Sequence, residues 1–152
     1  MTETGLRDFT IQERVNYLKN YMSAAPLISD FTFSSLFMWA EYYSLKLSCF
    51  DTLTCIICTG GGFTPSLLMP LGDCDSRMKG VIDYHYDWFK SEGLDLYISH
   101  VEERFIPLIT SVPGYEYTLS YDRDYSDYIY NMKDFIEMSG PGYKHFRKKI
   151  GA

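Results

Sequence analysis

The stretch LKLSCFDTLTCIICTGGGFTPSLLM, residues 45–69, decides the fold of this chain. Apolar and polar residues alternate over 45–49, which predicts a strand with one face buried. The run CIIC at 55–58 is apolar throughout, as in a central strand that is buried on both faces. A third apolar run, LLM, occupies 67–69. Together these runs predict three short neighbouring strands.

Two breaks separate the three runs. Asp51-Thr52 is short enough for a tight turn, and Gly60-Gly61-Gly62 supplies flexible backbone. We therefore expect an antiparallel meander. The three glycines could also expose backbone N–H groups to an anion, but a phosphate-binding loop is followed by a helix rather than a strand. A hairpin turn is the interpretation that the pattern favours.

Two helices are predicted before the meander. Thr10 and Glu13 have the spacing of a capping box, so a helix should cover residues 11–22. A second helix should cover 34–43, and it is almost uncharged, so we expect it to be deeply buried. The apolar stripe that we expect the first helix to bury consists of Ile11, Val15, Leu18 and Met22.

Helices and strands alternate after the meander. Periodicity predicts a helix over 76–91, a strand over 94–98, a helix from a capping box at 99–102 to about 111, a strand over 115–121, and helices over 132–138 and 143–149. The buried stripe of the first of these helices should be Met78, Val81, Ile82, His85, Trp88 and Phe89. The sum is an α+β fold, a mixed and mostly antiparallel sheet flanked by helices. This order of elements is found in acyl-CoA N-acyltransferase-like (GNAT-like) folds.

The composition is typical of a soluble globular domain. The chain has 152 residues, of which 46% are hydrophobic and 22% charged. That length corresponds to about one domain with its own core. No apolar run reaches the ~20 residues of a membrane span, and the first residues lack the pattern of a signal peptide. We therefore expect a cytoplasmic protein with reduced cysteines.

The charge is distributed unevenly. The net charge is −6, yet the last ten residues contain four cations and no acid. These four residues are the candidate contact to phosphate groups, of an RNA backbone or of a phospholipid head group. The alternative is a solvated helix face, since cations are also favourable near a helix C-terminus. The candidate residues are Lys144, Arg147, Lys148 and Lys149.

Other motifs do not predict a catalytic or metal site. Cys55 and Cys58 have C-x-x-C spacing, but a strand points residues three apart to opposite faces, so we expect buried structural cysteines and no metal site. His85 lies on an apolar stripe and should be a core histidine. Neither a nucleophile–base pair nor a CoA-binding loop is evident, so catalytic residues stay unknown and no cofactor is expected.

Two groups of segments resemble a known family. The first combines FSSLFMW at 33–39 with MPLG at 69–72. The second has DYIY at 127–130 and DFIEMSG at 134–140, then Tyr143-Lys144 and Arg147-Lys148-Lys149. Together they resemble the family of the C-terminal domain of phosphatidylglycerol lysyltransferase. The resemblance covers nearly the whole chain.

The resemblance implies a domain organisation. Members of that family resemble tandem GNAT-like folds, in which the second copy is thought to hold the aminoacyl-tRNA and the acceptor. This chain resembles the first copy only. Residues 1–142 would be a single GNAT-like domain, and 143–152 would begin a basic linker helix towards a second domain.

The resemblance also implies a function. The chain would be the non-catalytic N-terminal half of an aminoacyl-tRNA-dependent transferase-like protein, inactive by itself. Its implied partners are a second GNAT-like domain in cis or in trans, aminoacyl-tRNA and an anionic phospholipid head group. The alternatives are a complete small acyl-CoA-dependent acyltransferase and a non-enzymatic interaction module.

Overall fold

The chain folds as two compact units, residues 1–119 and residues 120–152. The domain limit that we expect at residue 142 stays a prediction. The structure, a computed structural model, describes residues 3–50, 52–74, 76–123, 126–128 and 130–151. Asp51 of the predicted turn and Ala152 at the chain end lie outside the described residues.

The first unit is built on a five-stranded sheet in which the strands lie in chain order. The first three pairings across the sheet are antiparallel, and the last pairing is parallel. The sheet is therefore mixed and mostly antiparallel, and the α+β, GNAT-like fold class is confirmed. The strands are β1 (Glu3–Asp8), β2 (Lys46–Phe50), β3 (Leu53–Cys58), β4 (Ser66–Leu68) and β5 (Ile98–Ser99).

The predicted meander is β2, β3 and β4. Every residue of β3 from Leu53 to Ile57 is buried, as expected for a central strand. The three glycines lie in the connection from β3 to β4, where Gly61 and Gly62 have φ values of 71° and 74°. Such left-handed backbone strains residues that carry a side chain, so these two positions favour glycine.

Sequence patterning missed β1. This strand pairs with β2 at the sheet edge, and its register shifts between Thr4 and Arg7. Its sequence, ETGLRD, has no apolar alternation. The guanidinium of Arg7 instead bonds the carboxylate of Glu13 at 2.8 Å, so a polar contact fixes this edge.

The helices of the first unit flank the sheet, and short 3₁₀ turns precede several of the helices of the chain. Asn20 of the first helix bonds the Thr54 hydroxyl at 2.8 Å, and His85 of the third bonds the Ser48 hydroxyl at 3.1 Å. Ser48 pairs with Cys55, the neighbour of Thr54, so these two helices lie on opposite faces of the sheet. The helices are α1 (Arg14–Ala24), α2 (Phe33–Trp39), α3 (Met78–Ser91), α4 (Ile106–Thr110), α5 (Met132–Glu137) and α6 (Lys144–Ile150).

The predicted buried face of α1 is wrong. The helix buries Tyr17, whose hydroxyl donates to the Phe31 carbonyl. Most of the predicted stripe faces outward, with Val15 79% and Met22 73% exposed, whereas Leu18 is half-buried. The capping box also fails, because the Glu13 carboxylate bonds Arg7 instead.

The helix predicted over 34–43 is shorter and more exposed than expected. It ends at Trp39 and buries only Phe33 and Leu36. Met38 is 73% exposed and Trp39 is half exposed. The prediction of a deeply buried helix is therefore wrong, because a lack of charged residues did not mean burial here.

Two further predictions after the meander need correction. The capping box at 99–102 does not form, because the Glu102 carboxylate accepts hydrogen bonds from the backbone N–H of Leu27 and from Arg104. The helix starts only at Ile106, beside Pro107. The strand expected over 94–98 is reduced to the two residues of β5.

The alternating segment 115–121 forms no strand among the described residues. Its tyrosines are held by their hydroxyl groups instead of by a ladder. Tyr115 donates to the Asp83 carboxylate at 2.8 Å, and Tyr117 donates to the Val112 carbonyl at 3.0 Å. Alternation thus indicated the half-buried side chains of Tyr115 and Tyr117, but Leu119 and Tyr121 of the same pattern are exposed and the backbone does not pair.

The predicted α3 is confirmed, and its apolar stripe supplies much of the core. Trp88 is half-buried, while the rest of the predicted stripe is buried. Among the described residues, no helix has the length and apolar character that crossing a bilayer requires. The largest fully buried apolar side chains of the core are Tyr17, Phe31, Leu53, Ile56, Ile57, Leu67, Met78, Val81, Ile82 and Phe89.

Candidate functional site

The basic helix predicted from the sequence is α6, in the second unit. Pro141 opens a 3₁₀ turn over 141–143 that leads directly into the helix. Gly151 ends the helix in a left-handed conformation, with φ of 74°. Three of the four predicted cations lie in its last turn, where a positive charge stabilises the helix dipole.

Arg147 makes contacts that the three lysines do not make. Its guanidinium donates to the carbonyl oxygens of Met138 and Gly140, the latter at 3.1 Å. Met138 is the left-handed residue that ends α5. Arg147 therefore donates hydrogen bonds to carbonyl groups just after α5 and joins the two helices. The sequence pattern did not predict this role, because it groups Arg147 with the lysines.

The three lysines have a different environment. Their side chains are all exposed, and none of these side chains is hydrogen-bonded or ion-paired to another residue that the structure describes. The three residues are Lys144, Lys148 and Lys149. Lys144 and Lys148 are four residues apart, so their side chains lie about 5–6 Å from each other at Cβ. By contrast, Lys133 of α5 is paired with Glu137 at 3.8 Å.

Aromatic rings support this helix from one side. The ring of Phe135 lies 6.3 Å from that of Tyr143 and 6.5 Å from that of Phe146. The apolar face of α6 thus makes ring contacts with α5. It is only partly covered, since Phe146 is 52% and Ile150 62% exposed.

We expect the Arg147 contact to hold α5 against α6. Replacing Arg147 with alanine removes two charge-assisted hydrogen bonds and should raise amide hydrogen exchange in α5 and α6 about tenfold or more. Hydrogen-exchange mass spectrometry reports this directly, and Lys148→Ala is the matched control because Lys148 makes no such contact among the described residues. Unchanged protection in Arg147→Ala would refute the assignment.

A buried serine–histidine pair was missed from the sequence. The Ser48 hydroxyl lies 3.1 Å from Nε2 of His85, and both residues are buried. Nδ1 of His85 lies 2.7 Å from the Val81 carbonyl, which can only accept a hydrogen bond. Nδ1 therefore carries the proton, and Nε2 accepts from Ser48. Neither group reaches solvent, so the pair is structural and the core-histidine prediction is confirmed.

His100 occupies a strained position at the end of β5. It has a φ of 56°, although it is not a glycine. Its Nε2 lies 3.4 Å from the Asp30 carboxylate, and its Nδ1 lies 3.1 Å from the Ser99 hydroxyl. These contacts connect β5 to the segment before α2 and offset the cost of the backbone conformation.

The cysteines are four free thiols. Cys55 and Cys74 are buried, while Cys49 and Cys58 are half-buried. Burial raises the pKa of the Cys55 thiol, because a thiolate would lack solvation there. Among the described residues, no three His, Cys, Asp or Glu side chains are grouped to hold a metal ion.

A shallow cleft of about 340 Å³ lies beside the loop between β4 and α3. Two of the polar side chains that line it already have partners. Arg104 donates to the Ala25 carbonyl at 2.8 Å and pairs with Glu102, and the Cys74 thiol donates to the Gly72 carbonyl at 3.3 Å. This arrangement offers little to a charged ligand.

Comparison with solved structures finds the same fold in a second protein. A crystal structure of a conserved protein of unknown function from Bacteroides thetaiotaomicron VPI-5482 matches with a TM-score of 0.84 and 21% sequence identity. The match covers 96% of this chain and 48% of the other. This chain thus spans about half the length of that solved chain.

Family comparison gives a second finding. No curated protein matches this sequence. The family model for the C-terminal part of phosphatidylglycerol lysyltransferase matches residues 22–151. That match takes in the last three residues of α1, the meander, α3 and the basic helix α6. Because it covers most of the sequence, this chain belongs to the family of the phosphatidylglycerol lysyltransferase C-terminal domain.

Proposed function

We propose that this chain is the non-catalytic half of an aminoacyl-tRNA-dependent transferase-like protein. In this proposal it binds the phosphate backbone of tRNA through Lys144, Lys148 and Lys149. The observation that carries the proposal is the exposure of these lysines on one short helix, without acidic partners among the described residues. Family membership supports the transferase context.

The net charge of the chain supports the choice of these three lysines as the tRNA contact. A net charge of −6 repels a polyanion, so attraction must come from a local group of cations. Lysines paired with carboxylates elsewhere, such as Lys79 with Asp83 at 2.6 Å, are already neutralised. Arg147 holds the helices together and orients the lysines rather than contacting phosphate.

The proposed partner of this half is a second GNAT-like domain, in cis or in trans. The matching solved chain is about twice as long as the part that this fold covers, which is consistent with a second domain of similar size. In the proposal, that partner contains the catalytic groups. This chain contributes one wall of the substrate groove and the phosphate contacts.

The test is tRNA binding measured by fluorescence anisotropy at low salt. Replacing Lys144, Lys148 and Lys149 with glutamate should weaken binding at least about tenfold, and the wild-type affinity should fall with salt with a log–log slope of about −2 to −3. The matched control makes the same charge change at Arg14, Lys19 and Lys90 of the first unit, which are exposed and have no acidic partner among the described residues. It should change affinity less than about twofold.

Other outcomes would contradict the proposal. Equal losses in both triple variants would mean that net charge alone governs binding. If the lysine variant instead loses binding only to phosphatidylglycerol vesicles, the helix contacts a lipid surface and not tRNA. A rise in melting temperature with acetyl-CoA would favour the small acyltransferase, since a bound ligand stabilises the folded state.

A further inference from the structure

The exposed stripe of α1 has the spacing of a helix-pairing seam. Ile11, in the 3₁₀ turn before the helix, is followed by Val15, Leu18 and Met22 at intervals of four, three and four residues. Those are the intervals of the a and d positions in a coiled coil. We call these four residues the α1 seam. The sequence therefore encodes a second apolar face on α1, besides the one that packs on the sheet.

The first unit leaves most of the α1 seam uncovered. Ile11 is 49% exposed, and Val15 and Met22 are more exposed still. Leu18 is half-buried and lines a shallow groove of about 280 Å³ that Tyr21 and Phe33 also line. The seam thus continues into a groove between α1 and α2. An exposed, continuous apolar stripe of this kind is typical of a docking surface.

The charged residues beside the seam indicate what kind of partner it would bind. Arg14 and Lys19 lie on its two sides, each within three or four residues of two seam positions. Both are exposed, and neither is paired with an acidic side chain among the described residues. Glu13 is not available to reverse this charge, because Arg7 holds its carboxylate. The seam is therefore apolar with cationic borders.

We propose that the α1 seam binds an amphipathic helix whose own apolar stripe is bordered by carboxylates. Carboxylates opposite Arg14 and Lys19 would complement the charge, while apolar side chains cover Val15 and Met22. A second copy of this chain fits less well, because pairing two α1 helices places Arg14 and Lys19 against the same cations. The proposal is independent of tRNA binding by α6.

The test uses two synthetic helical peptides with the same leucine seam. One has glutamate at the flanking positions and the other has lysine. The full chain should bind the glutamate peptide at least about tenfold more tightly in fluorescence anisotropy, because only that peptide complements the cationic borders. Replacing Arg14 and Lys19 with glutamine should remove this preference.

A matched pair of variants tests the apolar contact. Val15→Gln with Met22→Gln should weaken binding of the glutamate peptide about tenfold or more, whereas Asn16→Gln, exposed on the same helix, should change it less than about twofold. All three sites are exposed, so the variants should remain folded, which circular dichroism checks. Absence of binding, or equal binding of both peptides, would overturn the proposal. Self-association that the Val15→Gln and Met22→Gln changes abolish would overturn it in favour of a second copy.

Discussion

Replacing Phe89 with alanine should destabilise the first unit by about 3–5 kcal/mol. Phe89 lies near the end of α3, is fully buried, and packs edge-on against Trp88 with ring centroids 5.0 Å apart. Removing its ring loses the transfer free energy of the buried atoms and leaves a cavity that the surrounding core can only partly fill. Urea unfolding monitored by circular dichroism measures the loss.

A graded variant separates the cavity from a general effect of substitution. Phe89→Leu keeps most of the volume and should cost less than about 1.5 kcal/mol. The urea dependence of the unfolding free energy should stay constant across the series, since the surface exposed on unfolding hardly changes. A loss below about 1 kcal/mol in Phe89→Ala would show that the helix does not depend on this side chain.

Acid should destabilise the protein through His85. Burial lowers the pKa of this imidazole from 6.5 to about 4 in the folded chain. The unfolded chain therefore binds a proton on His85 more readily than the folded chain does. The contribution of neutral His85 to the free energy of unfolding is fully present above pH 6.5 and is lost as the pH falls towards about 4. The full loss is about 3 kcal/mol.

The hydrogen bonds of His85 explain why its neutral form is required. Nε2 accepts from Ser48, so a proton on Nε2 would break that bond and place a charge in the core. Glu13 and Asp83 have a pKa lowered by their partners Arg7 and Lys79, and such carboxylates add their own loss at lower pH. The decline that begins near pH 6.5 is thus the signature of the histidine.

Two measurements test the role of His85. In His85→Gln, the unfolding free energy should be lower overall but should no longer decline between pH 6.5 and the range of ordinary carboxylates. If that variant does not fold, the ring of His85 can be titrated by NMR in the wild-type protein. A midpoint near the ordinary value for histidine, or an unchanged decline in His85→Gln, would contradict the prediction.

Periodicity predicted the elements that bury a regular apolar pattern. The meander and α3 follow directly from alternation and from the spacing of Met78, Val81 and Phe89. Elements fixed by polar contacts were not predictable in this way. β1 is held by pairing and by Arg7, and Tyr115 and Tyr117 are anchored by their hydroxyl groups, Tyr115 to a residue 32 positions away.

The orientation of α1 shows a second limit. Its sequence contains two apolar faces, and periodicity detects the more regular one, which is the exposed seam. The face that packs on the sheet contains Tyr17 and the half-buried Tyr21, which hydropathy ranks below Val15 and Met22. Tertiary contacts, such as that of the Tyr17 hydroxyl with the Phe31 carbonyl, decide between the faces.

The helix that contains the candidate residues was predictable from the sequence, but the contacts of its individual cations were not. Charge alone placed Lys144, Arg147, Lys148 and Lys149 on one basic helix. Only the positions of the Met138 and Gly140 carbonyls distinguish the arginine from the lysines. The pairing of Ser48 with His85 likewise depends on how α3 packs on the face of β2, which brings residues 37 positions apart into contact.

The order of strands in the sheet has a consequence for how the chain folds during synthesis. β2, β3 and β4 follow one another within residues 46–68, so their pairings close only short loops. β1 must wait for β2, and β5 must wait for α3 to cross over from β4. The central hairpins should therefore form first on the ribosome, with both sheet edges added later. Until then, β2 and β4 expose unpaired edges, and this is the stage at which the nascent chain is most prone to aggregate.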